Sequence, residues 1–150
     1  MRKGYTWLLA AISALSLEGC LEKTESTRCV FNSAKFIYGP HSSSPFAISP
    51  ENSGKDIRVA TPPVIYQLHG EQLYIFSKVS LPYCPLLNIC SLNRAAGRVS
   101  YSAKGDLSQV SVAFEMPSGK ILKATNLGAN TPRMIEVGHC SPIDVPFKVE

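Results

Sequence analysis

What most limits the fold of this chain is how often its apolar runs are interrupted. Beyond residue 28 no stretch carries an apolar stripe at helical spacing for three turns. Prolines and glycines, 11 and 10 among the 150 residues, recur too closely to leave room for a long helix. Between the breaks the runs are short and alternate. Val110, Val112 and Phe114 fall on one face of an extended segment, and Ser111 and Ala113 on the other. Segments 64–68 and 72–79 flank His69-Gly70-Glu71 as a hairpin. Segments 98–102, 107–114 and 120–125, joined through Lys104-Gly105-Asp106 and Pro117-Ser118-Gly119, form a meander. Further strands are expected over 29–31, 35–38, 57–60 and 133–137, and Pro146 demotes 145–149 to an edge strand or no strand. The expected class is all-β, with seven to nine short strands in a small, disulfide-stabilised antiparallel β-sandwich or barrel with meander hairpins. Residues 39–55, with three prolines, two glycines and many serines, form a long loop of a kind that is functional or mobile.

The amino-terminal residues follow a different pattern. Arg2 and Lys3 give a positive start, 7–17 is uncharged and mostly apolar, and Glu18, Glu22, Lys23 and Glu25 end the hydrophobicity. An apolar run of this length suits a secretory signal, whereas a bilayer-spanning helix needs roughly 20 apolar residues. No later segment approaches that length. The expected organisation is a signal peptide over 1–19, a polar tether over 20–28 and one all-β domain over 29–150.

Leu17-Glu18-Gly19-Cys20 resembles the lipobox of bacterial exported lipoproteins. Leu17, Gly19 and Cys20 match the pattern, while Glu18 stands where it has a small or apolar residue. The resemblance implies lipid attachment, such as palmitate, at Cys20. With Leu21 where the inner-membrane retention pattern of enteric bacteria has Asp, it also implies a periplasmic protein anchored to the outer membrane. The other possibility is ordinary signal-peptidase cleavage, which leaves Cys20 as a free thiol or removes it.

The five cysteines bear on the same question. If Cys20 carries lipid, Cys29, Cys84, Cys90 and Cys140 remain as an even set. Four cysteines allow three connectivities. The short spacing of Cys84 and Cys90, and the positions of Cys29 and Cys140 near the two ends of the domain, favour Cys84–Cys90 with Cys29–Cys140. Such bridges suit a small core in an oxidising compartment.

Charge and motif content narrow the function classes. Removing Arg2, Lys3 and Glu18 leaves 13 basic and 10 acidic residues, a net +3 scattered singly along the chain. No basic stripe interleaved with aromatics is present to count phosphates, so nucleic acid is not an expected partner. No Cys-x-x-Cys occurs, and His41, His69 and His139 lack ligand spacing, so neither a metal nor another cofactor is expected. No serine sits in Gly-x-Ser-x-Gly, and Asp106 and Asp144 read as turn residues, so no catalytic residue is assigned.

The segment 81–90 stands apart. It carries Leu81, Tyr83, Leu86, Leu87 and Ile89 among prolines that forbid a central strand, between two cysteines. Two roles are open to it. The side chains fold back and plug one end of the barrel, or Tyr83, Leu86, Leu87 and Ile89 are displayed as an anchor for a protein partner. The leading functional expectation is an exported, lipid-anchored envelope protein that binds a protein partner, as an inhibitor or immunity factor against an envelope-active enzyme. The alternatives are an accessory lipoprotein of a secretion or pilus assembly, and a small hydrolase. Segments 98–105 and 117–120 look like strand and loop pieces of membrane-bound lysozyme inhibitors. Leu122 replaces the Tyr of that family's Ser-Gly-x-x-Tyr signature, and no inhibitory residue is carried over.

Overall fold

Thr24–Ile37 forms one strand, β1, fourteen residues long, and the rest of the sheet is arranged around it. The computed structural model describes residues 23–39, 50–84, 88–106, 108–126, 128 and 131–149. In chain order the other strands are β2 (Asp56–Arg58), β3 (Val64–His69), β4 (Gln72–Phe76), β5 (Ser80–Pro82), β6 (Ile89–Ala95), β7 (Arg98–Lys104), β8 (Gln109–Glu115), β9 (Lys120–Asn126) and β10 (Arg133–Pro142). A single antiparallel sheet runs in the order β5-β4-β3-β1-β10-β9-β8-β7-β6 and bends into a half-barrel. The expected all-β, meander-rich, disulfide-bonded class is what is observed, built from one curved sheet. Consecutive strands pair from β3 to β5 and from β6 to β10, while β1 lies between β3 and β10 with β2 on its β3 side, and β5 and β6 stand at opposite ends of the order.

β1 holds this central place because both of its edges are used along its length. One edge pairs with β10 from Thr27↔Pro142 to Ile37↔Arg133. The other is shared, with β3 beside Thr24–Cys29 and β2 beside Ser33–Lys35. The register against β10 shifts between Phe31 and Ser33, leaving Asn32 without a partner there. That bulge changes which residues point inward. Cys29 and Phe31 are buried before it and Ala34 and Phe36 after it, whereas unbroken alternation would have turned Ser33 and Lys35 to the core.

Residues 24–28, expected in the tether, therefore belong to the sheet. Their side chains are polar, but the ladder to β3 and β10 is made by backbone groups, which side-chain composition does not reveal. Residues 145–149, expected as an edge strand or no strand, form no strand. The segment 143–149 crosses the outer side of β1, β3 and β5: the Ile143 N–H donates to Ser26 O at 3.1 Å and the Ser80 N–H to Lys148 O at 2.6 Å. Of the loop over 39–55, residues 40–49 lie outside the described residues. Its far end makes a 3-10 turn at Pro50–Asn52 and returns along β1, where Gly54 N–H donates to Phe36 O at 2.8 Å.

The core fills the concave side. Cys29, Phe31, Tyr66, Leu68, Leu73, Val99, Tyr101, Val112, Phe114, Ile121 and Cys140 are buried together, from β1, β3, β4, β7, β8, β9 and β10, and where one strand gives two they are two positions apart. Cys29 and Cys140 are directly opposite in the β1–β10 register and form a disulfide that spans 111 residues of sequence. Cys84 and Cys90 form the second.

Candidate functional site

Because β5 and β6 are the two ends of the sheet, the chain between them spans the gap in the half-barrel. That stretch is the proline-rich segment singled out from sequence, and the Cys84–Cys90 disulfide closes it into a loop. Its start is fixed by backbone contacts: Tyr83 N–H donates to Leu73 O at 2.9 Å, and the Tyr101 hydroxyl donates to the Tyr83 carbonyl. Across the same gap Arg94 Nη2 donates to Gly70 O at 3.4 Å, joining β6 to the β3–β4 turn. Side chains and loop backbone thus close what the strand ladder leaves open.

Tyr83 is half-buried and points into the core. Its ring meets Tyr66 edge-on with centroids 6.2 Å apart and lies 5.9 Å from Tyr101. Lys123 Nζ stands 5.9 Å from the Tyr83 ring centroid and 6.0 Å from that of Phe31. Lys123 shares the inner face of Val112 and is opposite Glu136 on β10, so a cation and an anion sit side by side on the concave surface. The aromatic faces partly replace the water this ammonium would otherwise have. Burial pushes the Tyr66 hydroxyl well above its ordinary pKa, with Tyr83 and Glu136 adding to the effect, and burial followed by Tyr83 raises Tyr101. These phenols stay protonated at neutral pH.

The four residues expected to form a partner anchor are thus divided. Tyr83 plugs the half-barrel. Ile89, at the start of β6, is 79% exposed, with the following Cys90 packed against the core. Leu86, Leu87 and the expected lipidation site Cys20 lie outside the described residues. Leu81, on β5, joins Ile89 as a large apolar side chain left in solvent, at 57% exposure. Leu81 escaped assignment because it opens the segment with Pro82 beside it. The edge position that such a pair implies was the available signal.

The site defines a class of protein: a disulfide-bonded half-barrel whose two end strands are joined through a stapled loop, with one exposed apolar residue before the staple and one within it. No family model matches the chain, and neither a curated protein nor a solved structure does. Among the described residues no three His, Cys, Asp or Glu side chains gather as metal ligands, and no helix is long and apolar enough to cross a membrane. The arrangement offers a shaped surface, with its polar core groups committed to holding the loop in place.

Proposed function

We propose that this is an exported envelope protein, lipid-anchored at Cys20 to the outer membrane and facing the periplasm. It acts by binding a protein partner, as an inhibitor or immunity factor does, and not by catalysis. The observation that carries the reading is the pair Leu81 and Ile89, both exposed, the first three residues before the Cys84–Cys90 staple and the second within it, next to Cys90. Isolated exposed apolar residues are ordinary on protein surfaces. Two at segment ends that a disulfide and core hydrogen bonds hold in place lose little conformational entropy on binding.

Affinity capture from envelope extracts tests it, using the mature protein as bait. A stoichiometric partner that is lost on Leu81→Asp plus Ile89→Asp supports the loop as the contact. Full capture by that double variant, or no partner at all, overturns it. Mass spectrometry of the mature amino terminus tests the anchor separately: acyl chains on Cys20 support it, and an unmodified terminus elsewhere refutes it.

A further inference from the structure

At the end of the half-barrel where β1 begins, the sheet leaves a cleft of about 510 Å³, within the size range of sites that hold one small ligand. Its lining is mainly apolar. Leu68 and Phe114 reach it from the core, Met116 and Pro117 come from the β8–β9 turn, and Pro142 and Ile143 from the exit of β10. Met116 is 47% exposed, so this wall is open to solvent. Charged groups around the lining are of both signs, Glu25 and Glu115 against Lys120, with His139 beside them. Such a mixture gives no strong preference for a charged head. Residues 24–27 of β1 form one side of the cleft, and only three residues lie between Cys20 and Thr24, so the two are at most about 14 Å apart along an extended chain.

We propose that this cleft holds a single lipid acyl chain. The proposal rests on the anchored reading for its placement: an acylated Cys20 would keep the mouth within one short tether of a bilayer. The pocket chemistry stands apart from that reading. A flexible alkyl chain suits an apolar floor of Leu68 and Phe114 with an adaptable Met116 wall, because its affinity comes from methylenes removed from water and needs no directed polar partner. Two sources supply the same chemistry, the chain borne by Cys20 itself and a chain of a neighbouring lipid.

The test uses two forms. All ten described strands, both disulfides and the described part of the crossing segment fall within residues 24–149, so a chain of residues 23–150 exported behind a cleavable leader carries the described fold and no lipid of its own. Titrated with laurate, it is expected to bind one equivalent. Met116→Glu should weaken binding about ten-fold or more, since a carboxylate would be desolvated against methylenes, while Met116→Leu stays close to the parent. Near-UV circular dichroism confirms that each variant is folded. The second form is the full mature protein in phosphatidylethanolamine and phosphatidylglycerol vesicles doped with a diazirine-bearing phospholipid. Crosslinks at Met116 or Ile143 identify a neighbouring lipid as the source, and a cleft closed to both this lipid and laurate identifies the chain on Cys20. Absence of laurate binding by the 23–150 form, or equal binding by Met116→Glu, overturns the proposal. An unmodified Cys20 overturns only the anchored reading.

Discussion

Gln67 accepts a hydrogen bond from the Ser80 hydroxyl at 2.5 Å, and both residues are buried although they lie on the convex side of the sheet. What covers them is the carboxy-terminal segment. Gln67 Nε2 donates to Ser26 Oγ at 3.1 Å and to Val145 O and Pro146 O at 3.3 Å, while the Lys148 N–H donates to Ser80 Oγ at 3.0 Å. One amide thereby ties β1, β3 and β5 to a strap without regular structure. Phe147 completes the attachment, its ring stacked on His69 at 3.9 Å and met edge-on by Tyr74 at 4.8 Å.

Gln67→Leu keeps the volume but strands the Ser80 O–H and the Pro146 carbonyl, whereas Val145 O keeps its bond from the Ser26 hydroxyl at 3.0 Å. Each abandoned buried group costs about 1–3 kcal/mol, less whatever water can reach. A loss of about 2–4 kcal/mol in urea denaturation is expected, with faster hydrogen exchange confined to the strap and its partners. A variant as stable as the parent, with exchange unchanged at Lys148, would show that the strap is held by Phe147 alone.

The two disulfides should differ in weight. In the chain-entropy account a closed loop of 111 residues stabilises by about 5 kcal/mol and one of 6 by about 2. Cys29→Ala with Cys140→Ala is therefore expected to cost roughly twice as much as Cys84→Ala with Cys90→Ala, read from denaturation midpoints of the two double variants. Equal losses would mean that the β1–β10 ladder already restrains the unfolded chain, or that the small staple supports more than its own loop.

Gly138 lies where β10 passes the bulge in β1. A Cβ there would run into the Val30 carbonyl oxygen and come within 2.8 Å of Phe31 Cα, both backbone atoms that cannot rotate away. Gly138→Ala should cost about 1–3 kcal/mol by overpacking. Since the bulge sets which half of β1 faces inward, the same variant should also alter the near-UV signal of Phe31 and its aromatic neighbours. A neutral result would indicate that the bulge can move along the strand.

Alkaline stability follows from Tyr66. Its folded-state pKa lies above the unfolded value of 10.0, so between the two the folded chain holds a proton that the unfolded chain has lost. The stabilisation is complete below pH 10 and declines as the pH rises beyond it, by up to about 1.4 kcal/mol per pH unit for this one group. Tyr101 shifts in the same direction and adds to the slope. Tyr66→Phe should match the parent at pH 7 and flatten the decline between pH 10 and 11, measured by denaturation at each pH. Identical pH profiles would place the alkaline sensitivity elsewhere.

The parts of the fold that could be read from sequence are those where side chains decide. Val110, Val112 and Phe114 alternate with smaller residues, and β8 forms there; the hairpin of β3 and β4 turns at Gly70, whose φ of 60° suits glycine. What stayed hidden depends on backbone and on distant partners. β6 reads Ile-Cys-Ser-Leu-Asn-Arg-Ala, poor in β-branched residues, yet all seven residues pair with β7 because the Ala96-Gly97 turn sets the register. The bulge at Asn32 and the strap under Gln67 left no local trace. At the candidate site, spacing alone suggested the Cys84–Cys90 staple, but the direction of Tyr83 depends on Tyr66 and Tyr101, 17 residues before it and 18 after it.

The same division gives the sharpest test of the loop. Tyr83 and Ile89 are six residues apart and each precedes one cysteine of the same staple, but one ring packs on Tyr66 and Tyr101 while the other side chain stands in solvent. Tyr83→Ala opens a hole at the seam and removes two aromatic contacts. It should cost about 2–4 kcal/mol of stability, a little under the loss for a fully buried ring. Ile89→Ala should leave stability within about 0.5 kcal/mol, as expected for an exposed site, and weaken partner capture. Measuring both quantities on both variants separates a plug from an anchor. If Ile89→Ala captures the partner as well as the parent does, while Tyr83→Ala fails only to the extent that it unfolds, the stapled loop closes the half-barrel and the binding surface lies elsewhere.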